Sequence, residues 1–504
     1  MLFNSSLYIV FFLPCVIAGY FLLNHWRFVT AATVWLVLAS LFFYGYGSAS
    51  SLPLITASIV VNFAFGSSLR RQGNKSRRLI LAFGILFNLG LLGYYKYALF
   101  FLENVNLLGA SFPLPHLALP LAISFFTFQQ IAYLVDCSRE QVGNHNFFSY
   151  CLFVTFFPLL SAGPISRHHE LMPQFSRLRN RVFSSRNTAL GIIFFSLGLF
   201  KKVWIADQFA GWAGAGFAAK TLTFFDAWGT AFSYTFQLYF DFSGYTDMAI
   251  GSALFFNIVL PINFDSPYQA TSIQEFWRRW HITLSRWLRD YLYIPLGGSR
   301  QGQYKTCLNL LLTFLLAGLW HGAGWTFVLW GLLHGTALVV HRLWKGLGLR
   351  MPALLGWLCT FLFISTSWVI FRATNLEEGL RVLKGMAGLN GVTFSARMAG
   401  LLHHIGLLDW LGTTGTLLLP GQMRWYLLLF GLVLFFLPNS CQIGGLQGTF
   451  STEEKGNQQG NRLRQTLFHF QPNCYWALVS GIMFSMALYR LVQIAPSAFL
   501  YFNF

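Results

Sequence analysis

Apolar runs recur along this chain, separated by short polar turns. The first four lie near residues 7–23, 30–47, 52–69 and 79–102. A helix crosses a bilayer core with about 20 apolar residues, and a series of such runs favours helices over a barrel. Further runs near 117–135, 187–207, 227–257, 353–371, 424–438 and 474–495 read as spans as well. Two runs break the simple count. Segment 147–163 is apolar but leads into a basic loop, so it is expected to dip into the membrane and return, with Gly163-Pro164 as the breaker. The run 306–341 is too long for one span and is followed by Arg342, Lys345 and Arg350. It reads as two helices or half-helices meeting near Gly322–Gly324. Segment 398–421 reads as another membrane-associated piece and 450–472 as a polar cytoplasmic loop. The expectation is one integral membrane domain over 1–504, all-α and polytopic, with about ten to twelve transmembrane or re-entrant helices.

Composition agrees with this pattern. Charged residues make up 10% of the chain, against about 25% in soluble domains. Met1 to Ser6 lacks the basic start of a secretory signal, so the first run is read as a retained span. The seven cysteines are spread so that no two lie closer than 14 residues, which excludes a CxxC pair and implies no disulfide framework. The net charge of +18 is concentrated at 70–78 (+5), 167–186 (+4) and 278–305 (+5). Basic loops stay in the cytoplasm, and this sets the threading. It makes both flanks of 306–341 cytoplasmic and puts its midpoint in or beyond the membrane core. No internal repeat is visible, which weighs against an inverted-repeat transporter.

Three constellations carry candidate chemistry. In Leu319-Trp320-His321-Gly322-Ala323-Gly324-Trp325 a histidine stands inside an apolar run. An ionisable side chain there is a functional hypothesis by default; the alternative is a buried histidine bonded to a backbone carbonyl. A neutral imidazole can take a proton from a hydroxyl as it attacks a thioester, worth about 10²–10⁴-fold, so other groups must hold the donor and the oxyanion. No GxSxG elbow precedes a helix, so direct transfer suits the chain better than a serine acyl-enzyme. His334 and His341 follow on one face, but no carboxylate or cysteine joins them to His321, and a metal site is not expected.

The second constellation is residues 274–290. On a helical wheel Trp277, Trp280, His281, Leu284, Trp287 and Leu288 share one face, and Arg278, Arg279, Arg286 and Arg289 the other. The pattern suits a helix in the membrane interface. Its basic face would bind anionic lipid or the phosphates of an anionic donor, such as coenzyme A or an acidic carrier protein. His281 reads either as a packing residue or as a second polar group near the reaction centre. The third is 239–251, where Asp241, Ser243, Tyr245 and Asp247 sit in an apolar stretch. Buried carboxylates must be paired, protonated or hydrogen-bonded. They form either a polar network between helices or a wall of a reaction tunnel. Asn263 and Asp265 are a similar group.

Together, Asp241-Phe-Ser-Gly-Tyr-Thr-Asp247, Phe276-Trp-Arg-Arg-Trp-His281 running to Tyr293-Ile-Pro-Leu-Gly-Gly298, and Leu319-Trp-His-Gly322 resemble the membrane-bound O-acyltransferase family, closest to its alginate O-acetyltransferase branch. Phe157-Pro158, Ala162-Gly-Pro-Ile165 and the ending Phe499 to Phe504 resemble that branch too. The likeness covers nearly the whole chain. It implies helices around a central acyl-transfer tunnel, in a multi-pass protein of the bacterial inner membrane. It implies an acyl group, usually acetyl, taken from a cytoplasmic thioester such as acetyl-CoA and passed to an exported polysaccharide, alginate among the candidates. His321 corresponds to the family's active-site histidine and His281 to its second polar position. Asp241, Ser243, Tyr245, Asp247, Trp277, Arg278, Arg279, Trp280 and Trp320 are the substrate-binding candidates. No tightly bound cofactor and no nucleic acid is expected. Expected partners are membrane lipid, the polysaccharide and a periplasmic esterase-like protein that completes transfer. A related branch implies D-alanyl transfer to a wall polymer from an acyl carrier protein. A transporter with a polar pore and a scaffold of a secretion complex remain as readings from other classes.

Overall fold

The computed structural model describes residues 1–71, 76–115, 117–161, 163–404, 413–414, 418–446, 470–493 and 497–500. These residues are almost all helical; the strand content is one two-residue parallel pair, Thr393–Phe394 with Thr413–Thr414. Among them, eight helices are long and apolar enough to cross a membrane: Tyr8–His25, Val29–Gly47, Ala49–Arg70, Arg77–Leu107, Ser185–Ala218, Trp325–Gly346, Ala353–Arg372 and Cys474–Gln493. The chain is an all-α polytopic membrane protein. The expected piece 398–421 falls partly, and the polar loop 450–472 mostly, outside the described residues.

The helix Phe224–Leu254 is the axis of the fold. Its 31 residues rise about 46 Å, more than a bilayer core needs. It is buried on every side over most of its length, which fits a sequence apolar all round with scattered hydroxyls. Ser185–Phe200 packs along it through a seam of glycines. A Cβ on Gly244 would stand 2.7 Å from the Gly198 carbonyl oxygen, and one on Gly251 2.7 Å from that of Gly191. In lipid no hydrophobic force drives helices together, so such close approach, with its dispersion contacts, holds them.

The basic clusters gather at one end of the helices. Arg77 pairs with Glu140 at 2.7 Å, Arg70 donates to the Gly143 carbonyl at 3.3 Å, and Tyr291 donates to Asp136 at 2.8 Å. Arg167 pairs with Asp290 and Arg286 with Glu170 at this same end.

Segment 147–163 forms two short helices, Phe147–Thr155, buried from Tyr150 onward, and Phe157–Leu160, buried throughout. The break falls at Phe156, ahead of the expected Gly163-Pro164. Pro158 sits in the first turn of the second helix and disfavours helical backbone just before it. Gly163 then folds back so closely that a Cβ there would stand 2.6 Å from Leu159 Cα.

The expected single helix over 274–290 is corrected. The segment folds as Ile273–Arg279 and Ile282–Leu288, followed by a π-helical turn Arg289–Tyr293. His281, with φ 44°, sits in the left-handed region between the two helices. Its aromatic face packs on protein rather than lipid. Trp277 lies against Phe314 and His334, Trp280 against Phe264 and Trp368, and Trp287 stacks on Phe128 at 3.7 Å.

Candidate active site

Residues 303–346 form a hairpin of two helices, Gln303–His321 and Trp325–Gly346, joined by Gly322-Ala323-Gly324. Gly318 faces Gly331 across the pair, and a Cβ on Gly318 would lie 3.1 Å from Gly331 Cα. Gln303 starts at the basic end, so His321, 18 residues on, lies about 27 Å along the helix axis from it. The His321 side chain is 4% exposed. Its ring is set edge-on against Trp320, Trp330 and Phe371, with centroids 4.9, 5.2 and 5.2 Å away. Such a cage fixes the ring's orientation.

His281 is fully buried and reaches the same place from another direction. Its ring stands 4.8 Å from Phe242 and 6.2 Å from Trp320. Trp320 therefore touches both histidines, and it stacks on Phe128 at 5.1 Å. A left-handed histidine is strained backbone, held only where its surroundings over-determine it. Here Ile282 N donates to the Asn263 carbonyl at 3.0 Å, Asp265 N to the Arg279 carbonyl at 3.0 Å, and Thr283 Oγ1 to Asn263 Oδ1 at 2.6 Å. The Asn263 and Asp265 group thus latches the turn that presents His281.

His334 is held in a network of its own. Its Nδ1 accepts from Trp277 Nε1 at 3.2 Å, so its Nε2–H donates to Ser367 Oγ at 3.0 Å, and Ser367 donates to the Ile364 carbonyl. Both ring nitrogens are engaged in packing the hairpin.

The carboxylates of the central helix are paired. Lys202 meets Asp241 at 2.6 Å and Asp207 at 3.0 Å; Lys201 meets Asp247 at 2.7 Å, and Ser440 donates to Asp247 at 2.8 Å. Asp241 also accepts from the Leu500 amide at 2.9 Å. Tyr245 bonds Ser161 and stacks on Phe499 at 4.3 Å. Ser243 is buried on the same helix. These residues tie residues 497–500 to the wall that carries Phe242, the ring against His281.

At the basic end, a half-open cavity of about 660 Å³ is lined by Gln274, Tyr293, Gln303, His341, Arg342 and Lys345, among others. None of its lining residues is acidic. Arg278 is exposed nearby in sequence, and Arg279 pairs with Glu275 at 2.8 Å. Burial opposes ionisation of Glu275, but the Thr271 amide and hydroxyl and the Arg279 guanidinium together hold its carboxyl below the ordinary value. Asp290 is likewise held low, because Arg289 and Arg167 outweigh its burial. Among the described residues, no three His, Cys, Asp or Glu side chains converge as metal ligands would.

A buried imidazole in an aromatic cage, a second beside the same tryptophan, and a cationic mouth at the other end of the hairpin suit acyl transfer. The family model for membrane-bound O-acyltransferases matches residues 121–376, half of the chain, including both histidines. This chain belongs to the membrane-bound O-acyltransferase family. The acyltransferase is 52% identical over 426 residues to a peptidoglycan O-acetyltransferase of Helicobacter pylori, covering 78% of this chain and 81% of that protein. It is 42% identical over 395 residues to a probable alginate O-acetylase AlgI of Pseudomonas aeruginosa, covering 77% and 75%. A teichoic acid D-alanyltransferase of Streptococcus thermophilus is 28% identical over 236 residues, 44% of this chain and 57% of that protein.

Two residues at this candidate site went unnoticed in the sequence. Lys96 and Tyr97, outside the matched stretch, both bond the end of the His321 helix. The signal was there: Lys96 is a lone cation inside the apolar run 79–102, where an ionisable residue calls for a reason.

Proposed function

We propose that the chain is an O-acetyltransferase of the bacterial cytoplasmic membrane. It takes acetyl from a cytoplasmic thioester, acetyl-CoA or an acylated carrier protein, and passes it toward hydroxyls of an extracytoplasmic glycan. The observation that carries the reading is His321: a caged imidazole about 27 Å along its helix from the basic end where that helix begins. In the step assigned to it, the neutral imidazole takes the acceptor hydroxyl's proton as that oxygen bonds to the thioester carbonyl carbon. The carbon–sulfur bond then breaks, and the proton passes to the leaving thiolate. His281, beside the same Trp320, is assigned as the second polar group near the reacting carbon. Arg278, Arg279 and the cavity at His341, Arg342 and Lys345 suit the phosphates of the donor, which guanidinium forks bind in pairs. Asp241, Ser243, Tyr245 and Asp247 are assigned to the wall that holds the site, and Trp277, Trp280 and Trp320 to shaping it.

Of the acceptors named for the relatives, peptidoglycan belongs to the protein at 52% identity and alginate to the one at 42%. Peptidoglycan is therefore the favoured acceptor and alginate the second. A periplasmic esterase-like partner would complete the transfer. Deletion and complementation in the native host test this, with ester-bound acetate released by mild base and measured separately in purified sacculi and in exported polysaccharide. Loss from sacculi supports the favoured acceptor, and loss from the exported polymer selects the second. Unchanged acetate in both fractions contradicts the function.

A further inference from the structure

The helix that carries His321 ends inside the protein, and an ended helix leaves its last carbonyls without partners. At membrane depth no water is present to take them. Here they are met by two adjacent side chains from another span. The Tyr97 hydroxyl donates to the Leu319 carbonyl at 2.7 Å. The Lys96 ammonium donates to the Trp320 carbonyl at 2.7 Å, the His321 carbonyl at 3.2 Å and Ser124 Oγ at 3.1 Å. That uses all three of its protons. Among the described residues no carboxylate pairs with Lys96. Its charge stands at the negative end of a 19-residue helix instead.

Which carbonyls are held matters. The Trp320 carbonyl belongs to the peptide unit before the His321 Cα, and the His321 carbonyl to the one after it. Peptide units are rigid planes joined at Cα. One ammonium gripping both planes fixes φ and ψ of His321, and with them the direction of its Cα–Cβ bond. The aromatic cage then has only the two side-chain torsions left to set. The grip comes from a π-helical turn, Gly93–Tyr97. The wider turn narrows the angle between neighbouring side chains, so Lys96 and Tyr97 reach the same helix end; π turns are found often at functional sites.

We propose that Lys96, with Tyr97 beside it, is a positioning residue for His321, acting on the backbone at either side of it. The role rests on the assignment of His321 as the base. A residue that only filled space here would be apolar, since a cation in a span is costly.

The test uses the full-length protein in proteoliposomes, with wild type, Lys96→Met, Lys96→Arg and Tyr97→Phe. Two quantities are read: steady-state kinetics with labelled acetyl-CoA, a soluble glycan acceptor and a periplasmic extract of the native host, and amide hydrogen exchange by mass spectrometry. For Lys96→Met, kcat falls about tenfold or more while KM for the donor stays within about twofold, because misplacing a reacting group by about 1 Å can cost about a hundredfold. Exchange rises in peptides covering 317–324 and stays unchanged in the other spans. Lys96→Arg recovers most of the protection and part of kcat. If Lys96→Met does not fold, Tyr97→Phe, which removes one hydroxyl, gives a smaller rise confined to the same peptides. Wild-type kcat with wild-type exchange at 317–324 overturns the proposal, as does a rise spread evenly over all spans. If the wild type transfers no acetyl even with a periplasmic extract of the native host added to supply the partner, the assigned function fails, and the exchange data still decide whether Lys96 holds the His321 backbone.

Discussion

Replacing Gly318 by alanine perturbs the hairpin three residues before His321. The added methyl would stand 3.1 Å from both Gly331 Cα and Gly331 N, and closer still to the Phe327 carbonyl oxygen. All three are backbone atoms, so no rotamer change relieves the contact; the two helices must separate by about 1 Å, an overpacking that costs about 1–3 kcal/mol. The same shift moves His321 relative to the cage formed by Trp330 and Phe371, which belong to the other helix and its neighbour. At about a hundredfold per ångström of misplacement, activity should fall by about one to two orders of magnitude, more than the stability loss alone would give. Gly90 is the control, since a Cβ there meets nothing within 4 Å; alanine at that position should leave both quantities unchanged or slightly raise stability. The assays are thermal unfolding of the purified protein in detergent and acetyl transfer in proteoliposomes. A Gly318→Ala protein with the melting temperature and rate of wild type would refute the reading that the close approach of Gly318 and Gly331 sets the position of His321.

Other outcomes follow from the same contacts. Asp241→Asn leaves the buried Lys202 charge half-compensated and should destabilise by about 3–5 kcal/mol, read by thermal unfolding; a second change, Lys202→Met, should recover part of the loss, and a lack of recovery would count against the pairing. His334→Ala deprives Trp277 Nε1 and Ser367 of their partner and leaves a cavity, for a loss of about 2–5 kcal/mol; an unchanged melting temperature would contradict its packing role. Asp290 has a lowered folded-state value, so its contribution is complete above the ordinary carboxylate range and disappears as pH falls through the folded value. Stability measured across acidic pH should therefore decline less steeply in Asp290→Asn than in wild type, and identical slopes would contradict the assignment.

Most of the spans were legible because length and hydropathy decide them. The expected spans at 117–135 and 424–438, however, form only the 16-residue helices Ile123–Ser138 and Gly421–Phe436, outside the eight long and apolar enough to cross. The interruption at Gly322–Gly324 was legible because glycines and basic flanks both mark it. The helix Phe224–Leu254 shows a limit of that reading: its polar residues lower its hydropathy, yet the pairing of Asp241 and Asp247 with consecutive lysines lets it be buried throughout. The 274–290 segment shows another. A helical wheel assumes continuous helix, and nothing in Trp280-His281 announces a left-handed residue; that turn is imposed by Asn263 and Asp265, some twenty residues away. The wheel still grouped the buried residues, because the two short helices keep Trp277, Trp280 and His281 facing inward. Lys96 was missed for a similar reason: its partners lie 224 and 225 positions along the chain, and only the fold joins them.

The central claim is that His321 carries out the acyl transfer. The most direct measurement compares deletion strains complemented with wild type or with His321→Ala, matched for the amount of protein in the membrane, for ester-bound acetate in purified sacculi. The account predicts that acetate in the His321→Ala strain falls to the level of the deletion strain. Acetate at the wild-type level in that strain would contradict it.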